Sequence, residues 1–162
     1  MMFAEMLLRL CEQGEASWLG QLIRQSLWLF PAIEAVHLLG LCLLGGAVLV
    51  VDLRLLGLGL RTQPIALVAR GAEPWLYAAV AVMLTTGFLL FLSEAVKCFH
   101  NPSFRVKITV LPFALLFLFA VRQPLAMKAP EISPGMCRLV AMVSLLLWFT
   151  VAAAGRWIGF SS

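Results

Sequence analysis

The sequence predicts an all-α membrane protein, a polytopic four-helix bundle preceded by an amphipathic helix that lies in the membrane interface. Two observations predict this class. The 162 residues are 62% hydrophobic and only 12% charged, whereas a soluble domain averages about 25% charged residues. The length also suits four spans, because each span needs roughly 20 apolar residues and the remaining chain allows only short connections. A separate soluble domain has no room.

Residues 1–25 form the first predicted unit, the interfacial helix. Apolar positions such as Leu22 are mixed with charged positions such as Arg24, a pattern typical of a helix lying among lipid headgroups. We expect a break in this helix near Gly14. A cleaved signal peptide is not expected, because Glu5 comes early and no positive charge precedes the apolar stretch.

Residues 26–162 form the second predicted unit, the bundle of four transmembrane helices. Each predicted span is an apolar run that stops at charged residues or at a turn rich in Pro and Gly. Pro112 should kink the third span, and the small residues Gly40, Gly45 and Gly46 should allow close helix contacts. The spans are predicted at residues 27–51, 74–96, 104–121 and 136–158.

Four spans place both termini on one side of the membrane, called side A here. Side B receives the connections that begin at Asp52 and Arg122. The Lys and Arg residues divide evenly between the sides, but the connections between spans alone favour side B as cytoplasmic. Both termini are therefore predicted to be periplasmic. The net charge is +4, and the Lys and Arg residues lie mostly at span ends. The expected partner is therefore the lipid bilayer, and binding of nucleic acid is not expected.

Glu34 and His37 are the ionisable residues that point to a functional site. They lie three apart on the first span and share a face, and His37 is about 16 Å into the span at 1.5 Å per residue. The topology brings Glu94, Lys107 and Arg156 from the other three spans to the same half of the bilayer. Ionisable groups at membrane depth are costly and by default functional. These five residues are the predicted cofactor-binding cluster.

Haem b and copper are the two cofactors that these residues suggest. Haem b needs an imidazole ligand, often two on facing helices. His37 has a suitable depth, whereas His100 lies in a turn, so His–Met or single-His ligation stays open. Cys98 and His100 offer a thiolate and an imidazole, which suit Cu(I). The predicted metal ligands are thus His37, His100 and Cys98.

Other function classes are not favoured by the sequence. It contains no P-loop, no dinucleotide fingerprint and no set of nucleophile, base and orienting group, so an enzyme is not predicted. The four cysteines form no CxxC pair, which favours free thiols. Two alternatives remain: a structural or assembly subunit whose charges only fix packing, and a proton-coupled transporter or channel with a relay through Glu34, His37 and Glu94.

Three stretches resemble a family of small, uncharacterised bacterial inner-membrane proteins with four spans. They are "SLWLFPAIEAVHLLGLCLLGGAVLVVDLRLLGL" (26–58), "NPSFRVK" (101–107) and "LLLWFTVAAAGRWIGF" (145–160). More remotely the chain is similar to copper-resistance D proteins and cytochrome b-like bundles. The resemblance implies a bacterial inner-membrane location. Many family members have a His near the end of the third span, where this chain reads "LFLFAVRQP" (116–124). The family motifs fall on Pro31, Glu34, His37, Asp52, Arg54, Asn101, Pro102, Arg105, Lys107, Gly155 and Arg156.

The functional hypothesis from the sequence is a small accessory membrane subunit linked to redox or metal handling. Its polar cluster would bind haem b or a metal ion, with Glu34 orienting His37 as carboxylates do for ligating imidazoles. Lys107 and Arg156 would meet an anionic group such as a haem propionate. A homo-oligomer, or membership of a larger membrane complex, is expected.

Overall fold

The computed structural model describes residues 2–158, with the side chains of residues 2–4 and 130 left aside. All regular structure in this range is helical, and four helical segments are long and apolar enough to cross a membrane. This confirms the predicted all-α, four-span fold class. The elements are α1 (Met2–Glu15), α2 (Trp18–Gln25), α3 (Leu29–Leu56), α4 (Ile65–Ser93), α5 (Ala95–His100), α6 (Pro102–Phe117), a π-helical turn (Leu118–Arg122), α7 (Gln123–Met127), a 3-10 turn (Ala129–Glu131) and α8 (Pro134–Trp157).

The first span is longer than predicted. Helix α3 does not end at residue 51 but continues to Leu56, and Gly57 then closes it with a left-handed φ of 78°. Glycine suits this position because it adopts positive φ without a Cβ clash. The expected stop signal, Asp52, is fully buried. It extends the span because it meets a partner inside the bundle instead of facing headgroups.

The second span also begins earlier than predicted, at Ile65 instead of residue 74. Pro74 lies inside helix α4, where a proline removes one main-chain hydrogen bond. The helix tolerates Pro74 because the preceding segment carries the charged residues Arg70 and Glu73, which are typical of a membrane–water boundary. Water can satisfy a freed carbonyl group at that level.

The third span runs from Pro102 to Met127 and combines α6, the π-helical turn and α7. Asn101 is buried, and its side-chain oxygen accepts the N–H groups of Ser103 and Phe104, which caps α6. The Asn101 side chain also donates to the carbonyl oxygen of Ile158. The hairpin on side A is thereby tied to the end of α8. Helix α6 continues through Pro112.

Helix α3 is the centre of the bundle, because it packs along both α4 and α8, while α8 also packs on α6. Gly40 permits the close approach of α3 and α4: a Cβ at this position would lie 2.9 Å from Val82 Cγ1. A Cβ at Gly45 or Gly46 would meet nothing within 4 Å. Of the three predicted contact glycines, Gly40 alone fills that role within the described chain.

The N-terminal segment forms two helices, with the break at residues 16–17, close to the predicted position. The Glu15 carboxylate pairs with Arg24 and accepts the N–H of Val96, 3.0 Å away, in the first turn of α5. Gly20 lies against the carbonyl oxygen of Leu92, which a Cβ would approach to 2.8 Å. These contacts fix α1 and α2 on the junction of α4 and α5.

Candidate functional site

A cavity of about 470 Å³ lies among the four spans, within the roughly 300–1,000 Å³ that is usual for small-molecule and cofactor sites. Its walls are mostly aliphatic and aromatic side chains. Two ionisable residues, His37 and Lys107, are part of the lining. The remaining lining residues are Leu41, Leu44, Val80, Met83, Leu84, Gly87, Phe88, Phe91, Phe104, Ile108, Leu111, Leu115, Trp148, Val151 and Ala152.

The orientation of the His37 ring follows from its hydrogen bond with Thr86. His37 Nδ1 lies 2.7 Å from Thr86 Oγ1, and that hydroxyl donates its only proton to the carbonyl oxygen of Val82 at 2.6 Å. The hydroxyl oxygen must therefore accept, so Nδ1 carries the hydrogen. In a neutral imidazole the lone pair is then on Nε2. Within the described chain Nε2 has no hydrogen-bond partner.

Gly87 leaves room for this ring. A Cβ at Gly87 would lie 3.3 Å from His37 Cε1, so a larger residue would press on the imidazole. Thr86 and Gly87 are adjacent on α4, and together they place His37 from two sides. The sequence did not reveal this arrangement, although Thr86 lies at the depth that the topology predicts for His37.

Lys107 is the second ionisable residue in the cavity wall. It is half-buried, and its stem lies beside Gly155 of α8, where a Cβ would be 3.4 Å from Lys107 Nζ. Among the described residues it forms no hydrogen bond or ion pair. The cavity lining thus includes two ionisable side chains with spare bonding capacity, His37 at Nε2 and Lys107 at its amino group, and is otherwise apolar apart from the indole N–H of Trp148.

The other three members of the predicted cluster lie elsewhere. Glu34 is exposed on α3 and does not line the cavity. Glu94 follows the end of α4, and its carboxylate is 3.7 Å from Lys97 Nζ. Arg156 is exposed near the end of α8 and is also outside the lining. The structure therefore brings His37 and Lys107 to one cavity and leaves Glu34, Glu94 and Arg156 outside it.

Cys98 and His100 do not join His37 either. Both lie on α5, outside the cavity lining, and His100 is exposed with its ring edge-on to Phe99. Burial, followed by the charge of Glu94, raises the pKa of the Cys98 thiol to about 11. In the described part of the chain, no three His, Cys, Asp or Glu side chains converge as metal ligands.

A second polar centre, which the sequence reading missed, lies in the side B half. Arg122 Nε donates to Asp52 Oδ1 at 2.8 Å, and both side chains are fully buried. The other carboxylate oxygen accepts from Ser144 at 2.6 Å, and Arg122 also donates to the carbonyl oxygen of Val48 at 2.8 Å. A further Arg122 nitrogen donates to the Gln123 side-chain oxygen. The amide nitrogen of Gln123 is buried with no partner in the described structure.

The sequence did contain a signal for this centre. Asp52 and Arg122 carry opposite charges and stand at the side B ends of two apolar runs. The sequence predicts that both lie in connections, because charged residues usually end spans. Helix α3 instead continues past Asp52, and the third span continues through its π-helical turn. Both side chains therefore lie inside the bundle.

Comparison with known protein families adds one finding. Residues 10–161 match the model of a family of unknown function, DUF6644. The chain belongs to the DUF6644 family. No curated protein and no solved structure matches the chain.

The DUF6644 match spans α2 to α8 and includes both polar centres, the cavity with His37 and Lys107 and the Asp52–Arg122 pair. It confirms the resemblance to an uncharacterised family. Since the DUF6644 description names no activity, a function has to be argued from the site.

Proposed function

We propose that this protein is a membrane-embedded haem b binding subunit, in which His37 would bind the iron and Lys107 would meet a propionate. The observation that carries the proposal is the pair of ionisable residues with spare bonding capacity, His37 and Lys107, in the lining of one largely apolar cavity formed by all four spans. Haem b combines the matching features: an apolar macrocycle, a metal that takes an imidazole nitrogen, and an anionic edge.

The hydrogen bond from His37 Nδ1 to Thr86 supports ligation through Nε2. Ligating histidines usually donate their other ring N–H to a protein acceptor, which fixes the tautomer and the ring orientation. Thr86 takes this role, which the sequence analysis gave to Glu34. Met83 also lines the cavity, so a thioether would be available as a second ligand.

A bare metal ion is the weaker version of this proposal. Structural ions such as zinc take about four protein ligands, and in the described chain the predicted set of His37, His100 and Cys98 does not converge. Haem b needs fewer protein ligands, since the macrocycle supplies four nitrogens.

The cellular setting is proposed from the sequence. The protein is a subunit or accessory component in a bacterial inner membrane, with both termini periplasmic. The charge balance of the connections supports this orientation. The cavity lies in the half of the bundle near the termini, so a haem there would be close to the periplasmic face. Self-association, or assembly with a larger redox complex, would extend electron transfer beyond one site.

Absorbance of the purified protein during titration with haem tests the proposal. We expect a sharp Soret band and a reduced alpha band, both lost in His37→Ala and retained in Glu34→Gln, the exposed control. Lys107→Gln should weaken binding without changing the band positions. Thermal unfolding in detergent checks that each variant is folded. A folded wild-type protein that gives no shifted Soret band, or the same band in His37→Ala, would disprove the proposal and favour a structural subunit.

A further inference from the structure

The cavity has one exposed rim. Of the described residues that line it, the three exposed ones are Leu84, Phe88 and Ile108, at 48%, 59% and 52% exposure. Leu84 and Phe88 belong to α4, and Ile108 belongs to α6. Residues that line a cavity and also have half of their surface exposed stand at its mouth. The mouth therefore lies between α4 and α6.

The packing of the helices explains this opening. Helix α3 packs along α4 and α8, and α8 packs along α6, but α4 and α6 make almost no direct contact with each other. The bundle is thus closed on three of its four sides. The fourth side is a gap between α4 and α6, and it closes toward side B, where α4 packs on α7.

Two stacked aromatic pairs bridge this gap at its two ends. Phe91 stacks on Phe104 with ring centres 5.5 Å apart, near side A. Tyr77 stacks on Phe119 with ring centres 5.4 Å apart, toward side B. Offset-stacked rings at such distances attract each other beyond their burial. The gap is therefore a bounded window and not a general separation of the helices.

The window is at the depth of the lipid chains. Ile108 is six residues into α6, or about 9 Å from its start, and Leu84 is nine residues from the end of α4, or about 14 Å, at 1.5 Å per residue. With a hydrocarbon core of about 30 Å, both positions face acyl chains and not water. The rim side chains are apolar, which matches that environment.

We propose that the cavity opens sideways into the bilayer through the window between α4 and α6, and that its ligand enters and leaves from the membrane phase. The identity of that ligand as haem b rests on the proposed function. The opening itself does not, because it follows from the packing and the rim residues. When no haem is bound, a lipid acyl chain enters the same window and reaches Trp148 on the far wall.

Quenching of Trp148 fluorescence by brominated lipids tests the window without haem. The full chain is prepared with Trp18, Trp28, Trp75 and Trp157 replaced by Phe and with its four cysteines replaced by Ala, then placed in vesicles of phosphatidylcholine brominated along the acyl chains. We expect Trp148 to be quenched. Leu84→Cys with Ile108→Cys, joined by a flexible bis-maleimide, should lose most of this quenching. The matched control is Leu84→Cys alone, treated with the same reagent, which should stay quenched.

Haem exchange provides the second arm. Haem loaded before cross-linking should pass to a soluble apoglobin much more slowly from the cross-linked pair than from the single-cysteine control. Three results would each overturn the window. They are a Trp148 that is not quenched before cross-linking, quenching that the cross-link leaves unchanged, and equal rates of haem release from the cross-linked and control proteins. If Trp148 is quenched as expected but the protein does not bind haem, the proposed function is overturned and the window is still supported. A Phe88→Trp reporter, at the mouth, should be quenched with or without the cross-link and confirms a folded, inserted protein.

Discussion

Arg122 and Asp52 form an ion pair of 2.8 Å that is completely buried between the third and first spans. Ser144, the carbonyl oxygen of Val48 and the side-chain oxygen of Gln123 form the other hydrogen bonds of the pair. In lipid, each charge of such a pair depends on the other, because no water is available to replace it. The pair connects three of the four spans, α3, the third span and α8. We regard it as a structural centre that holds the side B half while the cavity opens in the other half.

Removing one member of this pair should strongly destabilise the protein. Asp52→Asn leaves the Arg122 charge buried without a counter-charge, and breaking a buried pair in this way costs about 3–5 kcal/mol. Thermal unfolding in detergent measures the loss. Arg138→Gln, on the exposed face of α8, is the matched control and should change stability little. The double variant Asp52→Asn with Arg122→Gln should recover part of the loss; equal melting of Asp52→Asn and the control would contradict this account.

Thr86 should control the affinity of the proposed haem site without touching the ligand. Thr86→Val removes the acceptor for His37 Nδ1 and keeps the shape of the side chain, so it should weaken haem binding by about 10–100-fold, as loss of such outer partners typically does. Thr86→Ser keeps the hydroxyl and should bind nearly as the wild type does. Spectroscopic titration compares the two. Identical affinities for Thr86→Val and Thr86→Ser would show that the hydrogen bond does not position the ring.

Gly40 should be far less replaceable than Gly45. Gly40→Val forces a Cβ to 2.9 Å from Val82, and overpacking of this kind typically costs about 1–3 kcal/mol. Gly45→Val places its side chain in open space and should be close to neutral. Thermal unfolding of both variants under the same detergent conditions measures the difference. Similar melting temperatures would mean that α3 and α4 separate freely at this contact.

Cys98 should react slowly with maleimides at neutral pH. Burial first, and then the charge of Glu94, raise its pKa to about 11, and the thiolate fraction falls about tenfold for each pH unit below the pKa. Labelling should therefore accelerate steadily as the pH rises from 7 toward 10. The other three cysteines are replaced by Ala, and mass spectrometry follows the modification.

The charges of Glu94 and Lys97 should change the labelling rate of Cys98 in opposite directions. Glu94→Gln removes a charge that raises the pKa, so labelling at pH 8 should become faster. Lys97→Gln removes a charge that lowers it, so labelling should become slower. Both are exposed enough for the fold to be unaffected, and protein unfolded in SDS should label at one common rate. Slower labelling of Glu94→Gln, or faster labelling of Lys97→Gln, would refute the electrostatic account.

The amino-acid sequence alone determined the fold class, and it placed His37 and Lys107 in the same half of the bundle. Long apolar runs in a chain with few charges leave a helical membrane bundle as the only way to satisfy the backbone. The length of the spans placed His37 at membrane depth, and helix directions brought Lys107 to the same half. Those inferences depend on periodicity and direction, which are properties of single helices.

Tertiary structure decided which of the polar residues meet. Glu34 is three residues from His37 and was its expected partner, but it faces outward, and Thr86 of α4 holds the imidazole instead. Asp52 and Arg122 looked like the ends of two spans and became a buried pair. Which face of a helix turns inward depends on how all four helices pack against one another. The gap between α4 and α6 has the same origin, and it opens the cavity around His37 toward the lipid.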